Sequence, residues 1–510
     1  MSERMAVVIL AGGASRRMGS DKAALDWHGR PLLEHLVAVA RAAGAGDLAV
    51  AGPRAPEGVE RLEDAVAGHG PLGGILAALR RRERVLVIAC DMPRLTAPLL
   101  RHVWERAAGF DGWTVAADQP LCAVYTQSLL PYLEAAAGDE VARSLSSILA
   151  LAPRQDLGPA ELKAAGFSEN LFTNLNTPTD YHAAHAGQLR DSFGRNIHDL
   201  RISLTDRCNY RCVYCRFGTG EEHAEHPLSW PELERLAAIF HRLGIAKFRL
   251  TGGEPLLRSG VTEYVRFLSG LGVEDIALTT NGHLLAPRAA DLARAGLRRV
   301  TISLDSLDAA KFARITRVAN SLEHVLAAIT AAQAAGLTPV KVNVVLLRGY
   351  NDDEIEALAA FARQRDLILR FIEFMPLETG SLWKPELVVP MEEVLERIGK
   401  VYPLEAMPLR HAETARRFRF RDGAPGQIGI VAPVTSPFCN QCSRIRLTAD
   451  GKLRTCLFSL REWDLRAALA ESDAAAEQLI CRAVYLKEER HHIGEQDFTK
   501  PARGMVQIGG

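Results

Sequence analysis

The sequence predicts an α/β protein built from two successive parallel-sheet units. Three observations carry this. Short continuous apolar runs recur at Ala6–Leu10, Leu48–Ala51 and Val85–Ala89, and again between residues 201 and 374, as buried parallel strands require. Helical patterns separate these runs, so strand and helix alternate. The chain has 510 residues, more than one core organises, so two or three domains are expected.

Composition narrows the function classes. The chain carries 61 basic and 61 acidic residues, so bulk charge recruits no partner, and neither nucleic acid nor a membrane is expected. The start, Met1–Leu10, has only a short apolar run ending in glycines. It reads as a buried first strand rather than a signal peptide, and no later apolar stretch is long enough to span a bilayer. Nine cysteines fall mostly at 208–215 and 439–456, which is metal-ligand spacing rather than a disulfide framework. A reducing, cytoplasmic setting follows. Cys90, Cys122 and Cys481 match no ligand spacing and read as small core residues.

Between the first strand and the next helix lies Ala11-Gly-Gly-Ala-Ser-Arg-Arg-Met-Gly-Ser-Asp-Lys22. Such a loop offers backbone N–H groups to an anion, and Arg16, Arg17 and Lys22 add positive charge. Taken alone it is equally a tight turn. Asp91 follows a strand, where a carboxylate can hold Mg2+ against phosphates or cap a helix before Pro93. Asp64 reads either as a site acid or as a solvated loop acid. The pattern LAGG-x-S-x-R-M-G-x-D-K, with Asp64, Gly70-Pro-Leu-Gly-Gly74, Ala89-Cys-Asp-Met-Pro93 and Asn174-Leu-Asn-Thr-Pro178, resembles the nucleotidyltransferases. Over about residues 1–185 it is similar to the molybdenum cofactor guanylyltransferases. That resemblance implies a Rossmann-like domain that transfers GMP from GTP to Mo-molybdopterin. Leu10, Ala11, Gly12, Lys22, Asp64 and Asp91 would bind the GTP, Lys22 and Asp91 would be catalytic, and Asp91 would hold Mg2+. One departure is visible: Ala51-Gly-Pro-Arg stands where an asparagine contact to the base is sought. Transfer of CMP or a sugar nucleotide therefore stays open, as does a degenerate binding module.

The segment Tyr181–Gly194 turns polar toward Asp191-Ser-Phe-Gly-Arg-Asn196, which places a boundary near residue 190. His182, His185 and His198 show no ligand spacing and are expected in solvent.

Beyond that boundary, strand-like runs are Arg201–Leu204, Phe248–Thr251, Ile276–Thr280, Val300–Leu304, Val340–Leu347 and Leu369–Phe374. The first leads into Cys208-Asn-Tyr-Arg-Cys212-Val-Tyr-Cys215. Structural zinc normally takes four protein ligands, whereas a four-iron cube on three cysteines keeps one iron open. The second run ends in Thr251-Gly-Gly-Glu-Pro255, whose glycines allow close backbone approach. Together the cysteine loop and this turn resemble the radical S-adenosylmethionine enzymes. Polar residues also cluster at the other strand ends: Thr279-Thr-Asn-Gly282, Ser303-Leu-Asp305, Lys341-Val-Asn343 and Arg370-Phe-Ile-Glu-Phe-Met375. A packed core alone does not explain that series.

A second group, Cys439-Asn-Gln-Cys442 with Cys456, is again one ligand short of a closed zinc site. With the first group and the terminal Ile508-Gly-Gly510, residues 195–510 resemble the GTP 3′,8-cyclase family. The resemblance implies a partial (β/α)6 radical SAM barrel with a C-terminal cluster-binding extension, giving domains at 1–190, 191–425 and 426–510. It implies two [4Fe-4S] clusters, on Cys208, Cys212 and Cys215 and on Cys439, Cys442 and Cys456, the second facing the purine. Tyr214, Gly253, Ser303 and Met375 would contact S-adenosylmethionine. Arg201, Arg249, Thr279, Lys341, Arg444 and Arg446 would hold GTP, the last two as catalytic residues, with Lys247 and Arg370 beside them. The expected chemistry is removal of the ribose 3′ hydrogen by a 5′-deoxyadenosyl radical, then attack on C8 of guanine. An electron donor protein would supply the reductant, and the resemblance allows a homodimer. A two-cluster radical enzyme of the peptide-maturing kind is the alternative for this half.

Overall fold

The computed structural model describes residues 4–12, 21–27, 30–66, 69–138, 144–184, 188–216, 226–409, 413–495 and 498–509. The chain divides into two compact units, Met1–Ala184 with Ser192–Gly194, and His185–Asp191 with Arg195–Gly510. Both are mixed α/β.

The first unit is built on a seven-stranded sheet. Its centre is Met5–Leu10, paired in parallel with Ala45–Ala51 on one side and Arg84–Ala89 on the other. Val7, Val8 and Ile9 are fully buried because helices cover both faces, which is why this strand reads as one continuous apolar run. In register, Leu10 lies opposite both Ala51 and Ala89, so the loops that follow all three strands leave from one edge. Beyond Arg84–Ala89 the sheet turns antiparallel through Gln119–Thr126 and Trp113–Ala116, with Arg154–Leu157 at its far edge.

The second unit holds a twelve-stranded sheet. Six strands lie side by side in chain order and parallel: Asp199–Ser203, Lys247–Thr251, Asp275–Thr280, Arg299–Ser303, Val340–Leu346 and Leu367–Glu373. Their alternation explains the mixed sequence. In Val340–Leu346 every second residue is buried and Lys341, Asn343 and Val345 between them are half-buried, so one face is wholly apolar and packed while the strand's two polar side chains stand on the other. The helix Trp230–Arg242 covers part of the outside. It starts at a reciprocal capping box, Ser229 with Glu232, and buries Leu233, Leu236 and Phe240.

The later sequence continues this same sheet. Gln427–Val431 pairs in parallel with Leu367–Glu373, and Arg444–Leu447 pairs in parallel with Asp199–Ser203. Each flank of the six-stranded array is thus extended by a strand from the segment expected to bind a cluster. Cys90, Cys122 and Cys481 are buried in the cores.

One expectation is overturned here. His182 is only 8% exposed, not solvated, because its helix Pro178–Ala184 turns it inward. His198 is half-buried, and His185 lies outside the described residues. Among the described residues no helix is long and apolar enough to cross a membrane.

Candidate active site

In the first unit, the strand-edge loops bring together residues far apart in sequence. Lys22 Nζ donates to Asp91 Oδ2 at 3.0 Å and to Asn176 Oδ1 at 2.9 Å. The Leu175 N–H donates to the Asp91 carbonyl at 2.8 Å, which fixes the asparagine loop beside the acid. Leu10 and Ala11 continue the central strand: the Cys90 N–H donates to Leu10 O and the Ala11 N–H to Ala51 O. Gly12 follows at the mouth, and a Cβ there would stand 3.7 Å from Asp64 Oδ2. Asp64 is exposed, and the burial of part of its carboxyl raises its pKa. Arg16 and Arg17 lie outside the described residues. Asn176 was quoted from the sequence without a role; its contact with Lys22 comes from chain topology that no local pattern displays.

The second unit encloses a cavity of about 310 Å³ at the carboxyl ends of its parallel strands, where sites of such sheets generally lie. All six clustered cysteines line it, and so do Tyr214, Gly253, Ser303 and Met375. Arg201, Arg249, Thr279, Arg444 and Arg446 line it as well, together with Arg370 and Arg216. Lys341 and Lys247 do not.

Hydrogen bonds sew the strand ends into a ring around this cavity. The Gly253 N–H donates to Thr205 O at 2.6 Å and the Glu254 N–H to Arg207 O at 2.8 Å, so the glycine turn lies against the stem of the first cysteine loop. Side chains are excluded there, since a Cβ on Gly253 would come within 2.3 Å of Arg207 O. Buried Glu254 accepts from the Asn281 N–H and the Thr280 hydroxyl, both at 2.8 Å; burial raises its pKa to about 7. Asn281 Nδ2 in turn donates to Asn209 Oδ1 at 2.7 Å and points at Cys208 Sγ, 3.8 Å away. On the other side Tyr214 donates to Asp305 Oδ2 at 2.7 Å, and Asp305 also accepts the Val345 N–H at 2.9 Å. Asn281 and Asp305 belong to the strand-end series noted in the sequence, which assigned neither a contact.

The cavity is strongly cationic. The Nε atoms of Arg201 and Arg249 are buried without a hydrogen-bond partner. Burial and then the neighbouring guanidinium groups Arg446 and Arg249 hold Arg201 well below its ordinary value. Arg446 is brought to about 10, first by burial and then by Arg444. Asp199 counters part of this charge, and the buried like charges that remain are costly until an anion arrives. Arg446 Nη1 also donates to the Gly509 carbonyl, which anchors the described end of the chain at the mouth. Among the thiols, burial raises Cys208 to about 11. At Cys442 burial is outweighed by Lys487 and Arg444, which bring it to about 6. None of the six is in a disulfide, so all six remain available as ligands.

Residues 7–155 match the MobA-like NTP transferase domain, 202–362 the radical SAM superfamily and 367–493 the Molybdenum Cofactor Synthesis C family. A GTP 3′,8-cyclase of Acidothermus cellulolyticus is 46% identical over 317 residues, covering 59% of this chain and 87% of the relative. That of Moorella thermoacetica is 47% identical over 330 residues, 63% of this chain and 100% of the relative. The chain belongs to the GTP 3′,8-cyclase family. Ahead of its cyclase-family region it carries the NTP transferase domain, a bifunctional arrangement for molybdenum cofactor biosynthesis. The first unit is also similar to molybdopterin-guanine dinucleotide biosynthesis protein A from Archaeoglobus fulgidus, at 26% identity and a TM-score of 0.32, over 36% of this chain and 97% of that one. In the cyclase-family unit, the cysteine sets and the arginines face one cavity. In the transferase unit, Lys22, Asp91 and Asn176 form the polar centre.

Proposed function

We propose that the second unit cyclises GTP between C3′ of the ribose and C8 of guanine, and that the first transfers GMP from GTP to Mo-molybdopterin. The observation that carries the first half is a single cavity lined by two three-cysteine sets and six arginines. Cys208, Cys212 and Cys215 would hold one [4Fe-4S] cluster, and Cys439, Cys442 and Cys456 a second. When bound, the first supplies the electron that cleaves S-adenosylmethionine. The chain's own share is placement. Tyr214, Gly253, Ser303 and Met375 surround S-adenosylmethionine, the Tyr214 ring being held by Asp305. Arg201, Arg249, Arg370 and Thr279 take the triphosphate, with Lys341 behind them. Arg444 and Arg446 orient the purine end, since planar guanidinium donors suit such fixed acceptors. An electron donor protein acting in the cytoplasm would complete the reaction.

In the first unit Leu10, Ala11 and Gly12 present backbone to the phosphates, and Lys22 leaves Asp91 to neutralise them. Asp91 would hold Mg2+, which would supply positive charge to the phosphates. Asp64, beside Gly12, adds a second acid. Positioning and charge neutralisation carry most of the rate of such transfers.

Two variants of the full-length protein, assayed anaerobically with GTP, S-adenosylmethionine, a reductant, Mg2+ and Mo-molybdopterin, test this division. Asp91→Asn is expected to abolish GMP transfer and leave cyclisation intact. Replacing Cys208, Cys212 and Cys215 together by alanine is expected to do the reverse. Loss of both reactions in either well-folded variant contradicts two separate sites.

A further inference from the structure

The polar stretch before the first barrel strand hides a buried ion pair. Asp191 is 0% and Arg195 8% exposed. Arg195 Nε donates to Asp191 Oδ2 at 2.5 Å, and the Arg195 N–H donates to Oδ1 of the same carboxylate at 2.9 Å. The other guanidinium donors reach two segments more than 240 residues onward. Nη1 donates to the Cys439 carbonyl at 2.9 Å and to the Glu489 carbonyl at 2.6 Å, and Nη2 to the Glu488 carbonyl at 2.5 Å. The Cys439 carbonyl also accepts the Cys442 N–H at 3.0 Å, the bond that closes the C-x2-C turn. On the far side, the Glu488 carboxylate accepts the Thr455 hydroxyl at 2.7 Å and also the Ser459 hydroxyl. Lys487 Nζ donates to the Thr455 carbonyl. Thr455 immediately precedes Cys456, and Ser459 follows it within the same loop.

One guanidinium therefore connects the turn bearing Cys439 and Cys442 to the loop bearing Cys456. We propose that the Asp191–Arg195 pair is a positioning device that holds these three thiols in register for one shared iron–sulfur cluster. This rests on the reading above that the second cysteine set binds iron. Burying such a pair is costly, and apolar side chains would pack the space as stably. What apolar groups cannot do is satisfy three carbonyls at once from a rigid planar fork anchored by a carboxylate. A lysine has a compact ammonium head and cannot span the same acceptors.

The test uses full-length protein reconstituted anaerobically, with iron per chain, the rate of iron stripping by a chelator, and electron paramagnetic resonance of the reduced clusters. Wild-type protein is expected to hold about eight iron, the content of two cubes. Arg195→Lys is expected to fall toward about four, or to lose the second set's iron about 10–100-fold faster. The signal that shifts with S-adenosylmethionine stays, which reports that the fold and the first cluster survive. Thr455→Val cuts the far end of the same relay and is expected to alter only the signal that responds to GTP. If Arg195→Lys loses both clusters, Thr455→Val decides alone. Both variants retaining about eight iron, wild-type stripping rates and both unaltered signals would overturn the proposal. A wild-type protein with about four iron would instead overturn the cluster reading, and the device with it.

Discussion

At the scale of single residues, the account turns on charges buried before their ligand arrives. Arg444 and Arg446 both face the cavity, and each charge-assisted contact to a nucleotide contributes about 1.5–3 kcal/mol. Arg444→Ala and Arg446→Ala are therefore each expected to lower kcat/KM for GTP by about 10- to 100-fold, with both clusters retained. Unchanged kinetics in both variants would make these arginines structural. Lys341 offers a test through protons. It is held down to about 7, first by burial and then by Arg370, Arg299 and Arg249, against about 10.4 for a free lysine. Between those values the unfolded chain carries a proton that the folded chain lacks, so this group's contribution makes stability rise with pH across that window. A triphosphate bound in the cavity counters Arg249 and Arg370, which line it, and returns the proton. Calorimetric titration with GTP at about pH 8, in buffers of different ionisation enthalpy, should show proton uptake that is absent in Lys341→Met. No uptake by the wild type, or equal uptake by the variant, contradicts this.

At the scale of elements, the cysteine loop and the glycine turn stand or fall together. A methyl group on Gly253 would meet the backbone carbonyls of Arg207 and Asp206, and backbone cannot yield as a flexible side chain does. Gly253→Ala is expected to cost about 1–3 kcal/mol of stability and to abolish 5′-deoxyadenosine formation. Thermal denaturation and product analysis check this, and wild-type values in both would contradict the close approach. The same elements indicate what was readable beforehand. The six parallel strands were legible because their apolar residues recur in short runs, within two residues of the observed bounds. The two cysteine sets were legible because ligand spacing is local. Contacts made by topology were not: nothing near Asn176 announces Lys22, and nothing in Asp191–Arg195 announces Cys439. The flanking strands Gln427–Val431 and Arg444–Leu447 were missed for a related reason. Gln427–Val431 pairs with the last of the six strands across an irregular stretch, and Arg444–Leu447 with the first, at the other end of the barrel sequence, so no alternating repeat marks them.

At the scale of the whole molecule, two enzyme units of one biosynthetic route share a chain, and on the proposed reading both consume GTP. On that reading their sites are chemically distinct, one bringing a lysine and a carboxylate that would hold Mg2+ to the phosphates, the other exposing arginines and thiols to a nucleotide. The central claim is that the cationic, cysteine-lined cavity performs hydrogen removal from the ribose of GTP. The most direct measurement supplies the reconstituted full-length protein with GTP deuterated at the ribose 3′ carbon, S-adenosylmethionine and a reductant, and weighs the 5′-deoxyadenosine formed. The account predicts one deuterium in that product, formed together with a cyclised nucleotide. Unlabelled 5′-deoxyadenosine, with GTP recovered unchanged, would contradict it.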